Sequence, residues 1–351
     1  MNDTMTPLQR VLTALGHQEA DRVPFFLFLS LHGARELGMP LRQYFSRGEN
    51  VAEAQLRMQS RYGHDCLNGF FYAPAEIEAW GGEVVWFEDG PPNSATPFLS
   101  DLKAIPGLKP PRVEEVPVLV EALKAISLMK ERSPLLPIIG VAISPFSLPV
   151  MQMGFEAYLQ LILEQPEAFW QLMRVNEEWC VSWANAQLSA GATAIAYFDP
   201  VSSSTVIQPD LYRKTGFVVA CRTLPRIHGP TATHLASGRA LPILDDLAAT
   251  GTAGVGISVL EDLAELKRAA SGKLALLGNL NGIQMRHWTT ADAELEVKQA
   301  IAKAGKGGGF ILADNHGEIP WQVPEETLSA IADAVQRWGR YPLDWIDEPV
   351  I

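Results

Sequence analysis

Cysteine is scarce in this chain. Only Cys66, Cys180 and Cys221 occur in 351 residues, far apart, odd in number and without a Cys-x-x-Cys pair. That excludes a disulfide framework and a thiolate zinc cluster, and it fits a reducing compartment. Positive charge is also short: 28 Lys and Arg against 40 Asp and Glu leave a net charge of −12. A nucleic-acid partner needs a basic patch to neutralise phosphates, so that class is set aside. No apolar run reaches the ~18 residues of a membrane-spanning helix. The opening "MNDTMTPLQRVLTALGHQEADRVP" is mixed polar, with no apolar signal core, and the expected location is the cytoplasm. No His-Glu-x-x-His and no Gly-x-Ser-x-Gly stretch is found, so neither a helical zinc motif nor a hydrolase elbow is supported. "GKGGGF" (Gly305–Phe310) precedes an apolar run instead of opening a helix, the wrong order for a phosphate or dinucleotide loop. No internal repeat or low-complexity linker is visible.

What is present is apolar bulk, 47% of the residues, enough for a large core. Thr6 can cap a helix over residues 7–17, with Pro7 in its first turn and Leu8, Val11, Leu12 and Leu15 at helical spacing. "RVPFFLFLS" (Arg22–Ser30) is a continuous apolar run of strand length. Similar runs begin at Asp65 and end at Ser144, Pro200, Ser258, Asn281 and His316, and one, "TATHLAS", holds His234. Helical stretches separate most of them. Eight strands alternating with helices predict an α/β fold, a (β/α)8 barrel of the TIM type, as one domain over residues 1–351. Residues 74–118, rich in Pro and Gly, are expected to be an excursion on the barrel face. The tail "RWGRYPLDWIDEPVI" carries exposed-looking aromatics that would permit a homodimer.

In such a barrel the chemistry sits at the C-terminal strand ends. That rule selects Ser30 and His32, Asn68, Ser144, Asp199, His234, Ser258, Asn279 and Asn281, and the cluster Asp314, Asn315 and His316. Each also has a structural reading. His32 can simply start a helix, and Asp199 before Pro200 can open a turn. His234 can be a hydrogen-bonded core residue, and Asn279 can be a turn residue. His316, among polar neighbours and beside Gly317, is the candidate with the most functional surroundings.

"TPLQRVLTALGHQEADRVPF", "RYGHDCLNGFFYAPAEIEAWGGEV", "YFDPVSSSTVIQPDLYRK", "LLGNLNG" and "ILADNHGEIPWQVPEETLSAIADAV" together span nearly the whole chain. In these stretches the chain resembles the uroporphyrinogen decarboxylase superfamily, and within it the corrinoid-dependent methyltransferases, including methylcobamide:coenzyme M methyltransferases. The decarboxylases of that family carry a double-arginine clamp after the first strand, for a substrate with four acetate and four propionate groups. Here the region reads "FLFLSLHGARELG", with Arg35 alone, so the resemblance points to the methyltransferase branch. That branch binds zinc through His-x-Cys on strand five and a cysteine after strand eight, and the zinc lowers a thiol's pKa. At the matching positions this chain has His234, Ala236 and His316: one ligand kept, one lost, one exchanged.

The resemblance therefore implies a metal site on His234 and His316 with a third ligand from Glu76, Asp199, Glu318 or water. Two His and one carboxylate suit zinc or ferrous iron. The alternative is that no metal binds and the histidines act as acid, base or substrate contacts. The first functional expectation is a methyltransferase-like enzyme moving a methyl group between a corrinoid, carried by a separate protein, and a small acceptor. Asp199 and His316 would be catalytic, and Glu76, Asn279 and His32 would contact substrate. The second is a decarboxylase or lyase acting on a small acid or a porphyrinogen, needing no cofactor. The third is a binding protein that kept the barrel and lost catalysis, since fold alone does not fix function.

Overall fold

A computed structural model describes residues 3–347. The chain enters through helix α1 (Pro7–Leu15), started by a capping box in which Thr6 accepts from the Gln9 N–H and the Gln9 side chain accepts from the Thr6 N–H. Seven parallel strands follow in sequence order: β1 (Leu67–Asn68), β2 (Ile138–Ile143), β3 (Ala194–Phe198), β4 (Thr231–His234), β5 (Gly254–Gly256), β6 (Ala275–Leu280) and β7 (Phe310–Asp314). Each pairs with the next, and helices cross between most of them, the pattern of an α/β barrel.

The eighth position differs from the expectation. Arg22–Ser30 is not a laddered strand; it makes isolated bridges, Phe25 to Leu312 and Arg22 to Arg340. On one side the Leu312 N–H donates to the Pro24 carbonyl (2.9 Å) and the Phe26 N–H to the Leu312 carbonyl (2.8 Å). On the other, the Asp65 N–H donates to the Phe25 carbonyl (2.8 Å), and the Asp65 carboxylate accepts from the Phe25 N–H (2.9 Å). A ladder fails here because Pro24 has no N–H to give and β1 spans two residues. Buried charge secures the segment instead. Asp65 takes Arg10 (2.6 Å) and Arg22 (2.7 Å), and Arg10 also grips Asp21 (2.6 Å). These groups tie α1, the closing segment and the start of β1 together, so each buried charge has a partner.

Two apolar cores result. The larger lies between the sheet and its surrounding helices. The smaller fills part of the barrel interior, where Val11 and Ala14 of α1 meet Phe26, Phe28, Cys66, Val141, Ile311 and Ala313. The excursion over residues 74–118 contains a short hairpin, Val84–Val85 with Asn93–Ser94, and buries Leu99, Ile105 and Val113 against the larger core.

The tail aromatics are not free faces. Trp338 and Trp345 meet edge-on at 5.3 Å. Trp338 donates its indole N–H to Glu294 (2.8 Å), and the Lys298 ammonium lies 3.8 Å from the Trp338 ring centre. The surface that suggested a homodimer is used within the chain. Residues 348–351 of that stretch lie outside the described residues. No helix among the described residues is long and apolar enough to cross a membrane.

Candidate active site

Strand pleating turns alternate side chains into the barrel. On β4 this sends His234 inward at the strand's C-terminal end, level with Phe198 on β3 and Gly256 on β5. The Phe198 ring stacks on the imidazole at 5.8 Å and 26°. Gly256 and Gly317 are required on the other sides. A methyl group at Gly256 would lie 2.6 Å from the imidazole Cδ2, and one at Gly317 3.0 Å from Cε1. His234 Nδ1 accepts the Ala236 N–H (3.0 Å), a bond made by Ala236 standing in the left-handed region at φ 51°. Burial, and then the neighbouring His316, push the imidazole down to about 4, so it is neutral at pH 7. With Nδ1 accepting, the remaining proton sits on Nε2.

The loop after β7 supplies the opposite wall. Asp314, the last residue of β7, is buried. Its Oδ2 accepts the N–H groups of His316 (2.7 Å) and Gly317 (2.9 Å). Burial outweighs these donors and pushes the carboxyl up to about 6. Glu318 accepts a hydrogen bond from Ser30. Burial, and then the nearby Asp314, push it up to about 7 despite that bond. His316, half-buried and lowered by burial, contacts the Ser237 hydroxyl through Nδ1. Ser237 is in turn fixed by Ser258, whose hydroxyl donates to the Ser237 carbonyl (2.8 Å).

These groups stand at one end of a cavity of about 210 Å³ inside the barrel. Its walls are otherwise almost wholly apolar, and no Lys or Arg lines it. Two neutral imidazoles and two carboxyls that titrate near neutrality therefore face an apolar space. Such an arrangement can take up or release a proton at pH 7.

Of the residues expected from sequence, His234, His316, Asp314 and Glu318 come together here. Asp199, Glu76 and His32 go elsewhere. Asp199 follows inward-facing Phe198 and so points to the outer side of β3. There it is buried and accepts hydrogen bonds from Ser144 (2.6 Å), Ser147 (2.6 Å) and Ser202 (2.5 Å). Burial raises its pKa in spite of those three donors. Glu76 is also buried behind the sheet, accepting the Ile143 N–H (2.8 Å) and the Trp179 indole N–H (2.8 Å). With no cation beside it, burial pushes it up to about 8. His32 opens a short helix, His32–Leu37. It is buried beside Trp321, pushed down to about 3 by burial and then by Arg35, and does not line the cavity. Asn279 sits at the rim, two residues above the cavity-lining Leu277 on β6, and donates to the Ser258 carbonyl (3.1 Å).

The zinc implied by the resemblance does not fit these residues. His234 spends its Nδ1 lone pair on a backbone N–H and carries its proton on Nε2, leaving no nitrogen lone pair for a metal. Cys66, which lines the cavity, has its thiol raised well above normal by burial and then by Asp65, so it offers no thiolate. Among the described residues, no three His, Cys, Asp or Glu side chains converge as a metal ion would need. Read from sequence, Asp314 is one of a polar cluster with no role of its own, and Ser237 is not a candidate. "DNHG" is the signal that was available for the first: an Asp whose carboxylate caps the amides two and three residues on is an Asx turn.

Known proteins bear on these observations. A methylcobamide:CoM methyltransferase (MtaA) from Methanosarcina barkeri is 27% identical over 334 residues, covering 93% of this chain and 96% of that protein. A uroporphyrinogen decarboxylase from Xylella fastidiosa is 26% identical, covering 94% and 98%. In structure, a methyltransferase from Methanosarcina mazei superposes with a TM-score of 0.83 at 22% identity, over 95% of this chain and 99% of that one, which supports the shared fold. The methyltransferase relatives support the corrinoid-methyltransferase side of the resemblance, and decarboxylase relatives match at similar identity. The family model for uroporphyrinogen decarboxylase (URO-D) matches residues 6–338, and the chain belongs to that family.

Proposed function

We propose that the protein is a methyltransferase-type enzyme that moves a methyl group between a corrinoid, held by a separate protein, and a small acceptor bound at the mouth of the barrel cavity. The observation that carries this reading is the Asp314–His316–Glu318 cluster facing an apolar space with no cation. The corrinoid supplies the methyl group in a form open to nucleophilic attack. This chain's task is to hold the acceptor, exclude water and take its proton. Glu318, near half-ionised at pH 7, accepts that proton. The acceptor's freed electron pair then bonds the methyl carbon as the carbon's bond to the donor breaks, leaving its pair with the donor. Asp314 stays paired to its two amides and orders the loop. His316, with Nδ1 on Ser237, presents Nε2 to the acceptor. No metal takes part.

A decarboxylase reading draws on the same acid near neutrality as a proton donor and on the equally similar decarboxylase relatives. Against it stand the missing cations and the size of the space: a porphyrinogen with eight carboxylates has no partner among the cavity's groups.

The test is to mix purified protein with methylcobalamin and a panel of small thiols, alcohols and amines, and to follow the cobalamin spectrum with and without a chelator. Demethylation that persists with chelator and drops ~10²-fold or more in Glu318→Gln supports the reading. Loss of activity with chelator, or coproporphyrinogen formed from uroporphyrinogen, overturns it.

A further inference from the structure

The interior of an eight-stranded parallel barrel is ordinarily filled by layers of bulky branched side chains. Here one layer is missing its bulk. Ala196 and Ala232 stand side by side at one level on neighbouring strands. Along β3, Ala194, Ala196 and Phe198 retain partial exposure while the alternate Ile195 and Tyr197 have none. Exposure on the inward face of a barrel strand means open space. That space runs from Val11 of α1 at the base to His234 and Glu318 at the mouth. Among the lining groups, the carboxyls of Asp314 and Glu318 are at the mouth, and the walls below are almost wholly apolar.

We propose that this bore is a binding site for the apolar body of a small uncharged organic molecule, a single ring or a branched alkyl group, whose polar end rests at Glu318 and His316. The volume decides the size class: a dry cavity of about 150 Å³ lined by aliphatic side chains and Phe is already enough to bind benzene, and this one is about 210 Å³. The lining decides the charge class. An anion would meet two carboxyls and no Lys or Arg, with its desolvation unrepaid. Phe198, stacked on His234, forms the flat wall against which a ring would lie. The inference deepens the proposed function by naming the kind of acceptor, and only the placement of the polar end rests on that reading.

The test is a binding measurement, independent of turnover. Benzyl alcohol and benzoate are titrated into the purified protein by calorimetry and by thermal shift. Benzyl alcohol is expected to bind with a dissociation constant in the millimolar range or tighter and to raise Tm, and benzoate to bind at least tenfold more weakly. Ala232→Leu, which fills the bore, is expected to keep or raise Tm and to weaken benzyl alcohol at least tenfold. Should that variant fail to fold, Ala196→Val fills less and is expected to weaken binding severalfold. Equal binding of benzoate, no binding of benzyl alcohol, or unchanged affinity in the folded bore-filling variant overturns the proposal. Binding without any methyl transfer would leave the bore site standing and remove the function proposed above. Methyl transfer without such binding would do the reverse.

Discussion

Glu76 offers a quantitative test of how this barrel buries charge. Its carboxyl accepts two N–H groups, from Ile143 and Trp179, and faces no cation. Burial pushes its pKa from 4.5 up to about 8. A raised carboxyl pKa gives stability that is fully present below the unfolded value and is lost as pH climbs through the folded value. Between pH 5.5 and 7.5 the unfolded chain has released this proton and the folded chain still holds it. Stability therefore falls by about 1.4 kcal/mol per pH unit from this group, or ~2.7 kcal/mol over the interval. Glu76→Gln removes the titration. Its amide replaces one accepting oxygen with a donor, so one buried N–H loses its partner at a cost of ~1–3 kcal/mol. The variant should be less stable than the parent at pH 5.5 and should draw level with it, or pass it, near pH 8. Urea unfolding of both proteins across pH 5.5–8 measures the difference. Asp314 and Glu318 titrate in both proteins and cancel. A difference that stays constant with pH would refute the reasoning and mean that Glu76 is ionised in the fold.

If Glu318 takes the acceptor's proton, kcat/KM for methyl transfer should rise with pH through about 7, because the base must be unprotonated; a rate that falls over pH 6–8 would assign it the opposite role. Gly256→Ala places a methyl 2.6 Å from the His234 ring. It is expected to cut activity at least tenfold with circular dichroism unchanged, and full activity would show that the imidazole's position does not matter. Asp199→Ala strands three buried serine hydroxyls and should cost ~3 kcal/mol or more in chemical denaturation. A stable but inactive variant would return Asp199 to the catalytic group.

Much of the barrel could be read along the chain because it rests on local pattern. Apolar runs of strand length, helical spacing between them and the Thr6-Pro7 start each follow from neighbouring residues, and all but one of the runs reappear as elements. The run Arg22–Ser30 is as apolar as any, yet it lacks a ladder. Its hydrogen-bonding partners are Leu312 and the carboxylate of Asp65, and nothing local in the sequence announces either. The tail tryptophans read as exposed for the same reason: Glu294 and Lys298, which hold Trp338, are some 40 residues distant.

The site divides along the same line. Sequence and family resemblance singled out His234 and His316, because position at a strand end is a local property and the lost cysteine at Ala236 is visible by comparison. Which face a carboxylate turns to is not local. In sequence, Asp199, Glu76 and Glu318 are alternative carboxylates for a third metal ligand. One step of strand parity sent Asp199 outward to three serines, and Glu76 went behind the sheet to Trp179. Glu318 lay under Ser30, beside Asp314, at the cavity mouth. The sequence alone determined the barrel, its acidic character and the two histidines. Tertiary structure decided which acids are raised toward neutrality, that His234 spends its lone pair on a backbone amide, and that the bore is hollow, because burial and partners depend on residues far apart in the chain.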